Sequence, residues 1–323
     1  MYAPSSTNTI EEKVVIDYTP YFRLFESGRM ERLTEVPPVQ PSLDPKTKVE
    51  SKDATTKEGV LVRLFKPNLP KNKKVPLLLY FHGGAFIFES TLSPKYHNYL
   101  NNLASEAQVM IVSVEYRQVP EHRLPAAYHD CCNALNWVVF HAKEVWIKDH
   151  VDFTKVYLMG DSAGGNIAHY LAMRLGVKGL PCDLISGIIL VHPMFWGKQR
   201  IGNEAARCSL MSAPDLADQV WAFACPTSSD GVDDPWFNPA RDPNLRRLGC
   251  KRVLVLVAGN DFLRDRGLYY KEVLVKSGWQ GRVDVVECKG ENHAFHLRKP
   301  SSVNSVYLMT KVVAFLNPQR SAL

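Results

Sequence analysis

No apolar run in this sequence is long enough to cross a bilayer. The longest, Ile185 to Trp196, is interrupted by Ser186, Gly187, His192 and Pro193, whereas a membrane span needs about 20 predominantly apolar residues. No C-x-x-C pair occurs either. The seven cysteines, Cys131, Cys132, Cys182, Cys208, Cys225, Cys250 and Cys288, are odd in number. That argues against a disulfide framework or a zinc site and for reduced thiols in the cytosol. Glycine and proline, 19 and 21 among 323 residues, are near average usage, which excludes collagen and low-complexity chains. Neither sign of charge dominates, the net being +6. The densest basic run, Lys71-Asn72-Lys73-Lys74, reads as a solvated turn, so no nucleic-acid footprint is expected. The opening stretch, MYAPSSTNTIEEKVVID, lacks the apolar core of a signal peptide. The closing Ser321-Ala322-Leu323 is a poor relative of a peroxisomal Ser-Lys-Leu address, because its middle residue is not basic. These absences together predict a cytoplasmic protein with no membrane or nucleic-acid partner.

What the sequence does hold is a series of apolar, β-rich runs: Val60–Phe65, Val75–Phe81, Val109–Tyr116, Lys155–Met159, Leu184–Val191, Arg252–Ala258 and Arg282–Cys288. Helical patterns lie between and after them, at roughly 92–107, 126–145, 164–175, 266–277 and 302–316. Strands that are apolar nearly throughout are buried on both faces, as in a parallel sheet covered by helices. Their alternation with helices predicts an α/β fold with right-handed crossovers. The length is near the limit for one core, so residues 1–323 are read as a single elaborated domain. Residues 1–50 carry little strand signal, and about 195–240, rich in Trp, Met and Pro, breaks the alternation. Ligands of open α/β sheets bind beyond the carboxyl ends of the strands. Both segments are therefore expected to cap that crevice and shape a pocket.

The sharpest motif is Gly160-Asp161-Ser162-Ala163-Gly164-Gly165, which follows one predicted strand and opens a helix. G-x-S-x-G in that setting raises the serine on a tight turn at the top of the sheet. The alternative is a glycine-rich helix start with a capping serine. The second motif, Phe81-His82-Gly83-Gly84-Ala85-Phe86, also follows a buried strand. Its glycines let backbone N–H groups face a substrate oxygen, so Gly83, Gly84 and Ala163 are predicted to form an oxyanion hole. His82 is read as structural. A nucleophilic serine needs a base and the base an orienting acid, in the chain order Ser, acid, His. Of ten histidines, only His293 and His296 follow the last predicted strand, and His293 sits in the loop Gly290 to Phe295. His293 is the preferred base. Asp261, in the loop after Arg252–Ala258, is preferred as the acid over Asp265, which starts a helix.

Taken together, these residues resemble the plant carboxylesterases of the hormone-sensitive-lipase group of α/β-hydrolases. The resemblance extends to Pro20 to Phe25, Gly28 to Leu33, Val114-Glu115-Tyr116-Arg117, Pro120-Glu121-His122, Leu263 to Gly267 and Ser277-Gly278-Trp279. It implies an α/β-hydrolase fold: a mostly parallel central sheet flanked by helices, with a cap built from the N-terminal segment and an insertion. It also implies that the first Asp of Asp-x-Leu-x-Asp, here Asp261, is the catalytic acid. Two departures stand out. Ala85 replaces a usual third glycine, and Gln118-Val119 replaces a usual Leu-Ala. A subgroup similar to 2-hydroxyisoflavanone dehydratase shares the Ala and a Glu-Ser pair like Glu89-Ser90, but has Thr where this chain has Ser162. Receptor relatives lose the histidine, whereas Ser162, Asp261 and His293 are all present here.

The expected function is a serine carboxylesterase acting on a small-molecule ester, with no metal or organic cofactor. The alternative is a lyase or cyclase in which His293 acts as general base and the oxyanion hole holds an enolate. Ala85, Phe86, Phe88, Glu89, Asp161, Phe195, Trp196, Trp221 and Phe295 are expected to wall a roomy pocket suited to a bulky apolar ester, such as an alkaloid or phenolic ester. A monomer or homodimer is expected.

Overall fold

The computed structural model describes residues 12–33, 37–141, 144–179, 184–210 and 215–318. The opening stretch 1–11, Cys182 and the closing Ser321-Ala322-Leu323 lie outside them. The strands, in chain order, are β1 (Val14–Tyr18), β2 (Phe22–Phe25), β3 (Met30–Arg32), β4 (Glu50–Thr55), β5 (Leu61–Lys66), β6 (Val75–Phe81), β7 (Met110–Val114), β8 (Val151–Asp161), β9 (Gly187–Val191), β10 (Arg252–Ala258) and β11 (Arg282–Cys288). The helices are α1 (Pro94–Ala107), α2 (Ala126–Asn136), α3 (Val145–His150), α4 (Ala163–Val177), α5 (Glu204–Ser209), α6 (Leu216–Ala224), α7 (Arg264–Lys276), α8 (Phe295–Arg298) and α9 (Val303–Leu316). None of the described helices is long and apolar enough to cross a membrane.

Strands β4 to β11 form one sheet in the order β11-β10-β9-β8-β6-β7-β5-β4. From β11 to β7 every pairing is parallel, and β5 and β4 add an antiparallel edge. The mostly parallel sheet is the α/β fold that the apolar runs and their alternation with helices predict, and its architecture is the α/β-hydrolase one that the family resemblance implies. Successive side chains of a strand point to opposite faces, and the two cores divide on that rule. Leu77, Leu79 and Phe81 of β6 join the core under α2, α4 and α7, while Leu78 and Tyr80 join the one under α1 and α9. In β10, Val253, Val255 and Val257 alternate in the same way with Leu254, Leu256 and Ala258.

Three elements differ from expectation. Residues 1–50 hold a three-stranded antiparallel sheet, β1-β2-β3. Its strands are short and bury few side chains, only Ile16 in β1 and none in β3, so no hydrophobic period is long enough to read. The polar strand β4 is likewise an edge, its charged residues suited to a strand with one open side. The helix expected over 126–145 stops at Asn136 and passes into a π-helical turn, Trp137–His141, where bulky and β-branched side chains succeed one another.

Between β9 and β10 the chain is pinned to α7 by a buried ion pair. Arg266 Nε stands 2.7 Å from Glu204 Oε1, and both side chains are essentially inaccessible. The turn from β8 into α4 packs directly against the end of β6. A Cβ on Gly164 would lie 1.9 Å from the Phe81 carbonyl oxygen, and one on Gly160 would lie 2.3 Å from the Gly164 backbone. Only glycine fits at either position. At Gly165 the nearest atom to an added Cβ is 3.2 Å away. Gly164→Ala is therefore expected to cost about 3 kcal/mol or more, above the usual overpacking range, and Gly165→Ala about 1 kcal/mol. Denaturant unfolding midpoints of the two variants check this ordering.

Candidate active site

Ser162 stands where β8 ends and α4 begins, with φ 53° and ψ −117°. Such a backbone costs a non-glycine residue about 1–3 kcal/mol and persists only where the surroundings enforce it. They do so here: Ser162 N–H donates to Val191 O at 2.9 Å, and Met194 N–H donates to Ser162 O at 2.9 Å. The Ser162 side chain makes no capping bond to α4. The capping-serine alternative is thereby removed, and the hydroxyl is free beside the positive end of the helix.

Strands β10 and β11, the second and third from β8 across the sheet, carry the next groups. Asp261 follows β10 in a tight turn and is buried. Its Oδ1 accepts the Leu263 N–H at 3.0 Å, and its Oδ2 accepts from His293 Nδ1 at 2.7 Å. The His293 loop follows β11 and is tied to the Asp261 loop by Asn260, whose backbone N–H donates to Glu291 O and whose side-chain amide donates to Gly290 O. Burial pushes the His293 imidazole down, but the charge and hydrogen bond of Asp261, with the charge of Asp161, outweigh it. The net pKa is raised above the ordinary histidine value. The alternative acid, Asp265, accepts instead from Asn203 N–H at 2.6 Å and pairs with Arg264. The alternative base, His296, is buried and held down to about 3 by desolvation.

The second glycine motif departs from expectation at Gly83. Its amide donates to the Tyr96 hydroxyl at 2.8 Å, so it is not available to a substrate oxygen. The amides of Gly84, Ala85 and Ala163 have no acceptor among the described residues. Ala85, rather than Gly83, thus joins Gly84 in presenting an amide without an acceptor among the described residues. Gly84 (φ 103°), Ala85 (φ 55°) and Phe86 (φ 64°) all have left-handed backbones, and Gly84 is irreplaceable because a Cβ there would lie 1.8 Å from Phe88 O. Gln118, one of the departures from the family pattern, braces this loop by donating to Glu89 O at 2.7 Å and Phe88 O at 3.2 Å. His82 stacks on Tyr116 with centroids 4.2 Å apart, and burial holds it neutral, its pKa down to about 4.

Asp161 links the two motifs. Its carboxylate accepts from Tyr80 at 2.7 Å and from Tyr96 at 2.9 Å, and Tyr96 in turn holds Gly83. Burial pushes Asp161 up to about 6 against the two phenol bonds and the His293 charge, with Glu89 adding to the rise.

Ser162, His293, Asp161, Gly84, Ala85, Phe88 and Glu89 line one cleft, which encloses about 740 Å³ including its open mouth. Tyr18 and Tyr21 of the N-terminal sheet and Leu216, Ala217 and Val220 of α6 line it too. Five aromatics expected on the pocket wall are not there. Phe86 meets Tyr128 edge-on, Phe195 stacks on Tyr270, Trp221 stacks on Phe237 at 4.4 Å, and Phe295 packs on His192. Trp196 gives its indole N–H to Asp218 at 3.0 Å. Each finds a partner beneath the cleft and is buried in the core, the commoner fate of large aromatics. Tyr18 and Tyr21, which do line the wall, come from a sheet the apolar pattern did not reveal. One nitrogen or oxygen each from His192, Asp261 and His293 lies within 4.8 Å of the others. That spacing would suit a cation, but Asp261 and His293 already satisfy one another.

Comparison with known proteins now fixes the class. A family model described as alpha/beta hydrolase fold matches residues 78–297. "Probable carboxylesterase 7" of Arabidopsis thaliana is 43% identical over 95% of this chain and 100% of its own. "2-hydroxyisoflavanone dehydratase" of Glycyrrhiza echinata is 40% identical over 97% of this chain and 99% of its own. A solved hyperthermophilic esterase of Pyrobaculum calidifontis superposes with a TM-score of 0.71 at 25% identity, covering 87% of both chains. The chain belongs to the α/β-hydrolase fold family. Within that family it is a carboxylic ester hydrolase, similar to the plant carboxylesterases.

The balance at His293 can be measured directly. Its imidazole pKa, followed by NMR, is expected above the ordinary value of about 6.5. In Asp261→Asn it is expected to fall, because burial then acts against a weaker opposing charge.

Proposed function

We propose that the chain is a serine carboxylesterase that hydrolyses a small ester with a bulky apolar part, of the kind found among plant specialised metabolites or xenobiotics. The observation that carries this reading is the 2.7 Å hydrogen bond between Asp261 and His293 at the cleft that also holds the uncapped Ser162. Asp261 occupies Nδ1 of the imidazole and leaves Nε2 to act on the serine. Ser162 Oγ attacks the ester carbonyl carbon as His293 takes its proton. Charge developing on the carbonyl oxygen is met by the amides of Gly84, Ala85 and Ala163, donors already oriented before reaction. The tetrahedral adduct collapses, the C–O bond breaks and His293 protonates the departing alcohol. Water, deprotonated by the same histidine, then releases the acid and restores Ser162. Tyr18, Tyr21, Phe88 and Phe262 supply the apolar wall for the bulky group.

The base must be neutral to accept a proton, and its pKa is raised. Activity is therefore lost on acidification through that raised value. The acid limb of kcat/KM is expected above the ordinary imidazole value of about 6.5.

A second reading is elimination or cyclisation, with His293 abstracting a carbon-bound proton and the same amides holding an enolate. The dehydratase relative, 40% identical, favours it. A short p-nitrophenyl ester and a fluorophosphonate probe separate the two. Turnover and a mass shift on Ser162 are expected, with Ser162→Ala unlabelled and slower by about 10⁴-fold or more. Neither turnover nor labelling would overturn the nucleophilic reading in favour of general-base chemistry.

A further inference from the structure

Four adjacent strands of the sheet, β8, β9, β10 and β11, are each followed at the same carboxyl edge by a polar residue, directly after β8 and β9 and within the loops after β10 and β11. Three of those residues are Ser162, Asp261 and His293. The fourth is His192, which follows β9 directly, between the strands that carry the serine and the acid. It is buried, with φ 45°, and its backbone N–H donates to Leu256 O of β10 at 2.7 Å. Its ring is 5.6 Å, centroid to centroid, from that of His293.

The His192 Nδ1 accepts the backbone N–H of Ala294, the residue after His293, at 3.2 Å. Ala294 is itself left-handed, φ 54° and ψ 29°. The His293 loop is thus held on both sides: Asn260 grips Gly290 and Glu291 before the histidine, and His192 grips Ala294 after it. A ring nitrogen that accepts from an amide carries no proton, so the proton of neutral His192 is on Nε2. That N–H is buried and has no acceptor among the described residues. An orphaned buried donor is a cost to folding, and an apolar side chain of similar shape would avoid it. Burial, together with the nearby His296 and His293, holds the ring neutral, so it adds no positive charge beside the base.

We propose that His192 is a positioning residue for His293: as a neutral Nε2–H imidazole it clamps the Ala294 amide and so fixes the catalytic imidazole in line with Asp261 and Ser162. This rests on the reading of His293 as the base. Asparagine can present an acceptor oxygen where Nδ1 stands, and phenylalanine keeps the shape without an acceptor. His192→Phe is expected to lower kcat on a p-nitrophenyl ester by about 30- to 100-fold, while His192→Asn stays within about threefold of wild type. KM should change less than about twofold in both, because the apolar wall that holds the substrate is untouched. Ser162 labelling by the fluorophosphonate should slow in parallel in the Phe variant. A folded Phe variant with wild-type kcat, or an Asn variant as impaired as Phe, would overturn the proposal. Should the Phe variant fail to fold, ¹⁵N shifts of the wild-type imidazoles still decide: the Nε2–H tautomer at His192 supports the clamp, and the Nδ1–H tautomer sinks it. An inactive, unlabelled wild type accompanied by the Nε2–H tautomer would overturn the base reading and with it this role.

Discussion

The site depends on one close contact, the backbone of Gly164 against the carbonyl of Phe81. It brings the start of α4 onto the end of β6 with no side chain between them. Ser162 and Ala163 belong to the first element, and Gly84 and Ala85 follow from the second. The distance between Ser162 and the amides of Gly84 and Ala85 is therefore set by close main-chain packing. The left-handed residues around it, Ser162, Gly84, Ala85 and Phe86, are strain that this contact and the neighbouring hydrogen bonds hold in place. Such strain is commonly stored at functional sites.

Electrostatics divides the buried polar groups by role. Two carboxylates flank the imidazole. Asp261 bonds it directly and sets its orientation, whereas Asp161 bonds two tyrosines and acts on it only through its charge. The Asp161–Tyr96–Gly83 chain joins the serine turn to the glycine loop. That chain explains why the residue just before the serine is acidic. An amide there would leave one of the two phenols without its acceptor, and an apolar side chain would leave both.

The strands β6, β10 and β11 could be bounded from sequence to the residue: β6 and β10 are apolar nearly throughout, and β11 mixes valines with charged residues between turn signals. Ser162, Asp261 and His293 could be singled out as candidates because the chain order Ser, acid, His applies to residues that follow strands, and the structure places His293 on Asp261 and in one cleft with Ser162. Gly83 was misassigned because sequence cannot register that Tyr96, on α1, reaches back to take its amide. The five core aromatics were misassigned for a related reason. An aromatic residue near a motif has two faces available, and only packing decides which it covers. Tyr18 and Tyr21 were missed because strands of three to five residues are too short to carry a readable period. His192 had no motif to mark it, although it also follows a strand. What separates it from the other histidines is its place in the order of strands across the sheet, which is a property of topology.

The three-stranded N-terminal sheet grips the glycine loop from outside. Tyr21 stacks on Phe88 at 4.9 Å, and Arg32 donates to the carbonyls of Ile87 and Val119 while pairing with Glu121. This ribbon is small, polar on its outer side and continuous with neither main core strand order nor helix layer. It touches the cleft and the glycine loop together, and its Ile16, Phe22 and Leu24 join the core under α2, α4 and α7. Such a piece is a convenient site for divergence: substitutions in a short ribbon can reshape the cleft wall and retune the loop beneath it at once, while Ser162, Asp261 and His293, which follow strands of the eight-stranded sheet, keep their places.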